Sequence, residues 1–164
     1  MPNYDLVVIG AGLAGLQAAR LLGKRGLKVL LVDRKASVEK PVYTTGIFVR
    51  KTLEDFDLPE DCLGPMVRHV TLYSPGGRRL PLESPKPEFR VGRIGKLYRR
   101  FLVEAIEAGV EWLPSTHYLK AEPEGEEVRL HLGVRERSLS IRARYLIGAD
   151  GARSRVAQDL ETAN

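Results

Sequence analysis

An apolar run, Leu6-Val7-Val8-Ile9, leads straight into Gly10-Ala11-Gly12-Leu13-Ala14-Gly15. A helical pattern then carries the chain to a second apolar run, Val29-Leu30-Leu31-Val32, which stops at Asp33. No other stretch constrains the fold as tightly. Strand, glycine turn, helix, strand and acid, in that order, predict a βαβ unit with a socket for the adenosine diphosphate half of a dinucleotide. Gly10 permits a sharp turn off the strand, Gly12 permits close approach of the main chain to a pyrophosphate, and Gly15 lets the helix lie against the sheet. Leu13 and Ala14 open that helix, whose unpaired N–H groups and positive dipole end face the phosphates. Asp33 ends the second strand, where it can accept hydrogen bonds from a ribose, worth roughly 1.5–3 kcal/mol each. The same carboxylate repels a 2′-phosphate, so FAD and NAD meet the condition and NADP fits poorly. A glycine turn alone would be weak evidence, since such turns occur in many loops. The preceding strand, the following helix and the spaced acid are what separate this one from a structural turn.

Length and composition bound the rest. A chain of 164 residues suits one domain, and 43% hydrophobic with 29% charged residues fits a globular protein with a buried core. No apolar run approaches the roughly 20 residues that span a bilayer. The opening Met1-Pro2-Asn3-Tyr4-Asp5 enters a strand without the flanks of a signal peptide. The expectation is a cytoplasmic protein with no integral membrane segment. The single cysteine, Cys62, excludes an internal disulfide and a cysteine-rich metal site. The net charge of +5 is dispersed, with Arg99-Arg100 the nearest approach to a cluster. An anionic dinucleotide accounts for that excess, and no nucleic-acid partner is expected.

Along the chain, residues 13–25 read as a helix stopped by Gly26, and 28–32 as a strand buried on both faces. Residues 34–46 read as a loop and 49–57 as a short helix. Residues 67–74 and 79–83 flank Pro75-Gly76-Gly77, a hairpin signal. A short strand at 89–93, an amphipathic helix at 96–108 and a strand at 110–113 follow. Alternation then predicts three antiparallel strands, 117–122, 127–132 and 138–143, before a returning buried strand at 145–147 and a helical segment at 152–160. The expected fold class is α/β: a Rossmann-like domain for FAD or NAD(P) with a parallel sheet, a three-stranded antiparallel β-meander crossover and a hairpin excursion at about 44–92. His69, His117 and His131 sit on predicted strands with no nucleophile at motif spacing, and read as structural.

The segment Tyr145-Leu146-Ile147-Gly148-Ala149-Asp150-Gly151-Ala152-Arg153-Ser154-Arg155-Val156 delivers Asp150 to the carboxyl edge of the sheet, where open α/β folds bind ligands. A strand-to-helix turn capped by Asp150 explains it equally well. The segment resembles the Asp-Gly fingerprint of FAD-dependent monooxygenases and geranylgeranyl reductases. Together with the glycine turn and Asp33, the chain resembles the p-hydroxybenzoate-hydroxylase-like flavoprotein superfamily over almost its whole length. Lys40-Pro41-Val42-Tyr43-Thr44-Thr45-Gly46 and the helix after Val91-Gly92-Arg93 look most like the geranylgeranyl-reductase branch.

The resemblance implies an FAD-dependent oxidoreductase in which residues 44–92 are an inserted, partial substrate-domain segment. It implies that Gly10, Gly12 and Gly15 hold the pyrophosphate, Asp33 the ribose, and Arg34 the adenine or ribose. Tyr118 or Leu119 would offer main-chain contacts to adenine. Arg93 would face the FAD, Thr45 and Gly46 would lie near the flavin, and Asp150 and Gly151 would lie at the ribose and pyrophosphate. NAD(P)H or another donor is implied to reduce the flavin, and the implied small-molecule substrate is hydrophobic and isoprenoid-like, reduced at an alkene or hydroxylated with oxygen. Relatives carry a Cys-Gly-Glu-Gly-like segment where this chain has Tyr43-Thr44-Thr45-Gly46, which speaks against cysteine-assisted chemistry. The resemblance also implies a later Gly-Asp segment, so the chain is expected to be a front portion that holds FAD weakly by itself. The alternative is a non-catalytic module for NAD or an ADP-type nucleotide.

Overall fold

A computed structural model describes residues 3–39, 42 and 44–162. In chain order the elements are β1 (Asn3–Ile9), α1 (Leu13–Gly23), β2 (Val29–Val32), β3 (Ile47–Val49) and α2 (Arg50–Asp55). After a 3-10 turn at Glu60–Cys62 come β4 (Leu63–Val67), β5 (His69–Tyr73), β6 (Arg79–Glu83), β7 (Phe89–Gly92) and α3 (Ile94–Glu107). The chain continues through β8 (Glu111–Leu113), β9 (Thr116–Glu124), β10 (Glu127–Val134), β11 (Arg137–Gly148) and α4 (Arg155–Thr162). Two compact units result: residues 1–40 with 98–164, and residues 41–97.

The first unit is built on a six-stranded sheet in the order β8-β2-β1-β11-β10-β9. The pairings of β2 with β8, β1 with β2 and β1 with β11 are parallel, whereas β10 pairs antiparallel with β11 and β9. All four residues of β2 are buried, as are Val7 and Val8 of β1, which is how a parallel strand covered on both faces behaves. Helix α1 buries Gly15, Leu16 and Ala19. Arg20 lays its guanidinium 4.0 Å from the centre of the Phe101 ring and donates to Glu104 at 2.8 Å, tying α1 to α3. A core of Tyr4, Val7, Leu30, Leu130, Leu132 and Ile141 runs under the mixed sheet.

The third meander strand and the returning strand are one element. Residues 137–143 of β11 pair antiparallel with β10, and residues 142–148 pair parallel with β1. Arg144 and Tyr145 are exposed, which reads in sequence as an interruption, but no turn residue separates the halves and the strand changes partner without bending out of the sheet. The meander is therefore a continuation of the parallel sheet.

In the second unit β7 is the middle strand of an antiparallel sheet between β3 and β4, and β5 pairs with β6 as a separate hairpin. The strand expected at 67–74 is divided at Arg68 into β4 and β5. The Pro75-Gly76-Gly77 turn closes as expected, with Gly77 N donating to Ser74 O at 2.9 Å. Buried Arg90 donates two hydrogen bonds of 2.7 Å to Glu60 and one of 2.6 Å to Gly64 O, holding the 3-10 turn to the sheet. Among the described residues no helix is long and apolar enough to cross a membrane, and no group of histidine, cysteine and acidic side chains is placed to hold a metal ion.

Candidate nucleotide-binding site

In the first unit the carboxyl ends of β1, β2 and β11 open onto a cleft of about 650 Å³. Ligands of open α/β sheets bind at this edge. The two sequence motifs meet here. Gly10 N donates to Val32 O at 2.7 Å, and Ala149 N donates to Ile9 O at 2.7 Å. Gly10 has φ +104°, and a Cβ on it would stand 2.3 Å from Ala149 O, so the glycine is required by backbone conformation and by the neighbouring turn. A Cβ on Gly15 would stand 1.8 Å from Gly10 O, which is the close helix packing expected of that position.

Gly12 differs from both. Its φ is −78°, and nothing lies within 4 Å of where its Cβ would be. The space above it is open cleft. Gly12 is the N-cap of α1, with no side-chain hydrogen bond capping the helix and no acid in the first turn. Leu13 and Ala14 form that first turn; the Leu13 N–H also donates towards the Tyr98 hydroxyl, and the remaining N-terminal N–H groups with the positive end of the dipole are left for an anion.

Asp33, 8% exposed, turns towards the glycine corner. Its Oδ2 accepts from Ala11 N at 2.6 Å and its Oδ1 from Lys35 N at 2.7 Å. Arg34, Lys35, Arg153 and Arg155 also line the cleft, giving it four cationic side chains against Asp33 and Asp150. The balance suits an anionic ligand.

Asp150 lines the cleft and caps α4 at the same time. It accepts from the Ser154 hydroxyl at 2.6 Å, from Arg155 N at 2.7 Å and from Val156 N at 3.3 Å. Burial favours its neutral form, but these hydrogen bonds outweigh burial and hold the carboxyl below the usual carboxylate range. Gly151 follows at φ +90° with open space around it.

The far wall is the start of β9. Thr116 N donates to Asp33 O at 3.0 Å, which seats Thr116, His117 and Tyr118 beside the β2 exit. The Tyr118 hydroxyl donates to Asp159 of α4 at 2.7 Å, and burial together with that carboxylate pushes the phenol well above its ordinary range. Leu119 points the other way. It is half-exposed, packs beside Gly133 and is not among the residues lining the cleft, as strand alternation next to Tyr118 requires. Sequence reasoning passed over Lys35, Thr116 and His117 as site residues. Their places are set by long-range main-chain hydrogen bonds, Ser115 N to Lys35 O and Thr116 N to Asp33 O, which leave no local mark in the sequence.

Thr45, Gly46 and Arg93 belong to the second unit. Gly46 has φ +69°, and a Cβ there would meet Ile94 at 2.9 Å and Gly92 O at 3.0 Å, so its place in that unit has a packing reason. Of the segment at 40–46, Lys40, Pro41 and Tyr43 lie outside the described residues.

Residues 4–163 match the family described as pyridine nucleotide-disulphide oxidoreductase. The chain is 33% identical over 164 residues to digeranylgeranylglycerophospholipid reductase 1 of Methanococcoides burtonii, an alignment covering 95% of this chain and 40% of that protein. Among solved structures it is similar to a geranylgeranyl bacteriochlorophyll reductase-like protein of Thermoplasma acidophilum, with a TM-score of 0.82 and 24% identity over 98% of this chain and 42% of that one. It is also similar to aklavinone-11 hydroxylase, solved with FAD and aklavinone, with a TM-score of 0.75 and 25% identity over 96% of this chain and 35% of that one. The chain thus spans between 35% and 42% of the length of these proteins.

Proposed function

Because the chain belongs to the pyridine nucleotide-disulphide oxidoreductase family, we propose that the cleft of its first unit binds the adenosine diphosphate moiety of FAD and that the chain is the cofactor-binding part of an FAD-dependent oxidoreductase. The observation that carries this reading is the open space above Gly12, at an uncapped helix N-terminus, between Asp33 and the basic wall. The diphosphate lies over Gly12 and the remaining N–H groups at the start of α1. The ribose lies beside Asp33, whose second lone pairs are available to hydroxyl donors. Arg34, His117 and Tyr118 flank the adenine, and Asp150 with Gly151 borders the diphosphate on the β11 side. Roles for Thr45, Gly46, Arg93 and Leu119 at the cofactor rest on family resemblance alone, as does the assignment of residues 44–92 to a substrate-domain segment.

FAD, when bound, supplies hydride or oxygen chemistry, and the protein supplies binding and orientation. NAD(P)H is the proposed electron donor. A hydrophobic, isoprenoid-like substrate is supported by the reductase to which the chain is 33% identical.

Calorimetric titration of the chain with ADP, ADP bearing a 2′-phosphate, and FAD tests the reading. ADP should bind and compete with FAD, the 2′-phosphate should weaken binding at least tenfold, and FAD should bind the chain alone no tighter than micromolar. Absence of ADP binding, or indifference to the 2′-phosphate, would overturn it.

A further inference from the structure

We propose that Asp33 is a positioning residue for the glycine turn: its carboxylate fixes the main chain that receives the diphosphate, beyond any hydrogen bond it makes to a ribose. The inference rests on the nucleotide-binding reading above. Ala11 is fully buried between two glycines, and its N–H donates to Asp33 Oδ2 at 2.6 Å. Without that acceptor Ala11 would carry a buried, unpaired donor in the most flexible segment of the turn. Gly10 N is held by Val32 O at 2.7 Å, so two consecutive residues of the turn are tied to two consecutive residues leaving β2.

The other carboxylate oxygen works on the opposite side. Oδ1 accepts from Lys35 N at 2.7 Å, a local turn that sets the path of Arg34 and Lys35. Lys35 O in turn accepts from Ser115 N at 3.1 Å, and Asp33 O from Thr116 N at 3.0 Å. The side chain therefore links the phosphate-binding turn to the β2 exit, and the main-chain carbonyls of Asp33 and Lys35 tie that exit to the wall at the start of β9. A carboxylate has about four acceptor positions, so holding two N–H groups and meeting a ribose are compatible.

The two roles separate experimentally in Asp33→Ala, with Asp33→Asn as the variant to use should the alanine form fail to fold. The asparagine carries one acceptor oxygen in place of two and cannot satisfy both N–H groups. In the ligand-free full chain, amide hydrogen exchange followed by NMR should accelerate at least tenfold at Ala11 or Lys35 while Val7 and Val8 stay protected. Unchanged exchange at both amides overturns the proposal. Calorimetry with inorganic pyrophosphate, which has no ribose, supplies the second readout. Removing a neighbouring negative charge should by itself tighten pyrophosphate, so a fivefold or greater weakening, matched by ADP, supports positioning. Weakening confined to ADP leaves Asp33 a ribose ligand only and overturns the proposal. Should the unaltered chain bind neither probe, the nucleotide-binding reading falls, and the exchange rates at Ala11 and Lys35 still decide the positioning role.

Discussion

Gly12 and Gly15 stand three residues apart on one turn, and adding a single methyl group to each should produce opposite failures. In Gly15→Ala the new Cβ would stand 1.8 Å from Gly10 O and 3.2 Å from the Ala149 Cβ. The main collision is with backbone, so no rotamer relieves it, and the helix must move off the β1 turn by about 1.6 Å to restore ordinary contact near 3.4 Å. Overpacking of this kind costs about 1–3 kcal/mol and occasionally more. Alanine returns up to about 1 kcal/mol of helix propensity. A backbone collision this close belongs at the upper end of that range, so the net loss is about 2 kcal/mol, which at a urea dependence of roughly 2 kcal/mol per molar lowers the unfolding midpoint by about 1 M. In Gly12→Ala the backbone, at φ −78°, accepts any residue, and the methyl meets no atom within 4 Å. Alanine is a poorer N-cap than glycine, which limits the loss to about 1 kcal/mol or less. Its methyl group does, however, occupy the space proposed for the diphosphate, and ADP affinity should fall at least tenfold, about 1.4 kcal/mol. Urea unfolding followed by circular dichroism and ADP calorimetry on both variants make the check. A Gly15→Ala protein as stable as the parent, or a Gly12→Ala protein that binds ADP unchanged, would refute the geometry.

Three other perturbations have definite signs. Asp150 has a folded-state pKa below its ordinary value, so its contribution is complete above the unfolded value near ~3.9 and is lost as pH falls through the folded one. Asp150→Asn should thus be less stable than the parent at neutral pH, with the gap in urea midpoint closing below about pH 4. Burial, then the hydrogen bond to Glu111 and its charge, push the Tyr4 phenol up to about 12. Its contribution is complete below the unfolded value near ~10 and is lost as pH rises towards the folded one. The phenolate absorbance titration of Tyr4→Phe should therefore lack one group titrating near the top of the alkaline range, whereas a missing group at the ordinary tyrosine value would refute the assignment. Ser115 is an exposed non-glycine residue at φ 52°. Relief of left-handed strain, offset by glycine's greater unfolded-state freedom, should make Ser115→Gly more stable by about 0.5–1 kcal/mol in the same urea assay.

What was legible in the sequence is what is local in it. Gly10, Gly12, Gly15 and the strand before them fall within thirteen residues, and Asp150 finds its capping partners Ser154, Arg155 and Val156 within the next six. The change of partner along β11 was not legible, because residues 142 and 143 pair at once with β1 and β10, and neither pairing leaves a local mark. Strand β3 is three residues long and finds its partner in β7, too short for a periodic signal. His117 read as structural because no reactive partner lies near it in sequence. Its place in the cleft wall is set by the hydrogen bond from Thr116 to the main chain of Asp33.

The three glycines of the first motif differ in what requires them. Gly10 serves the sharp turn off β1 and Gly15 the close packing of α1, as their spacing predicts. In the folded chain a side chain on Gly10 would strike the carbonyl of Ala149, a demand made by the meeting of two motifs from opposite ends of the chain, and one on Gly15 would strike Gly10, a demand made within the first motif itself. A relative that had lost its nucleotide would need both for the same packing reasons. Gly12 alone faces open space, and no contact within the protein excludes a larger residue there. Of the three, it is therefore the only one whose absent side chain reports on a ligand, and the diphosphate reading stands on that position more than on the motif as a whole.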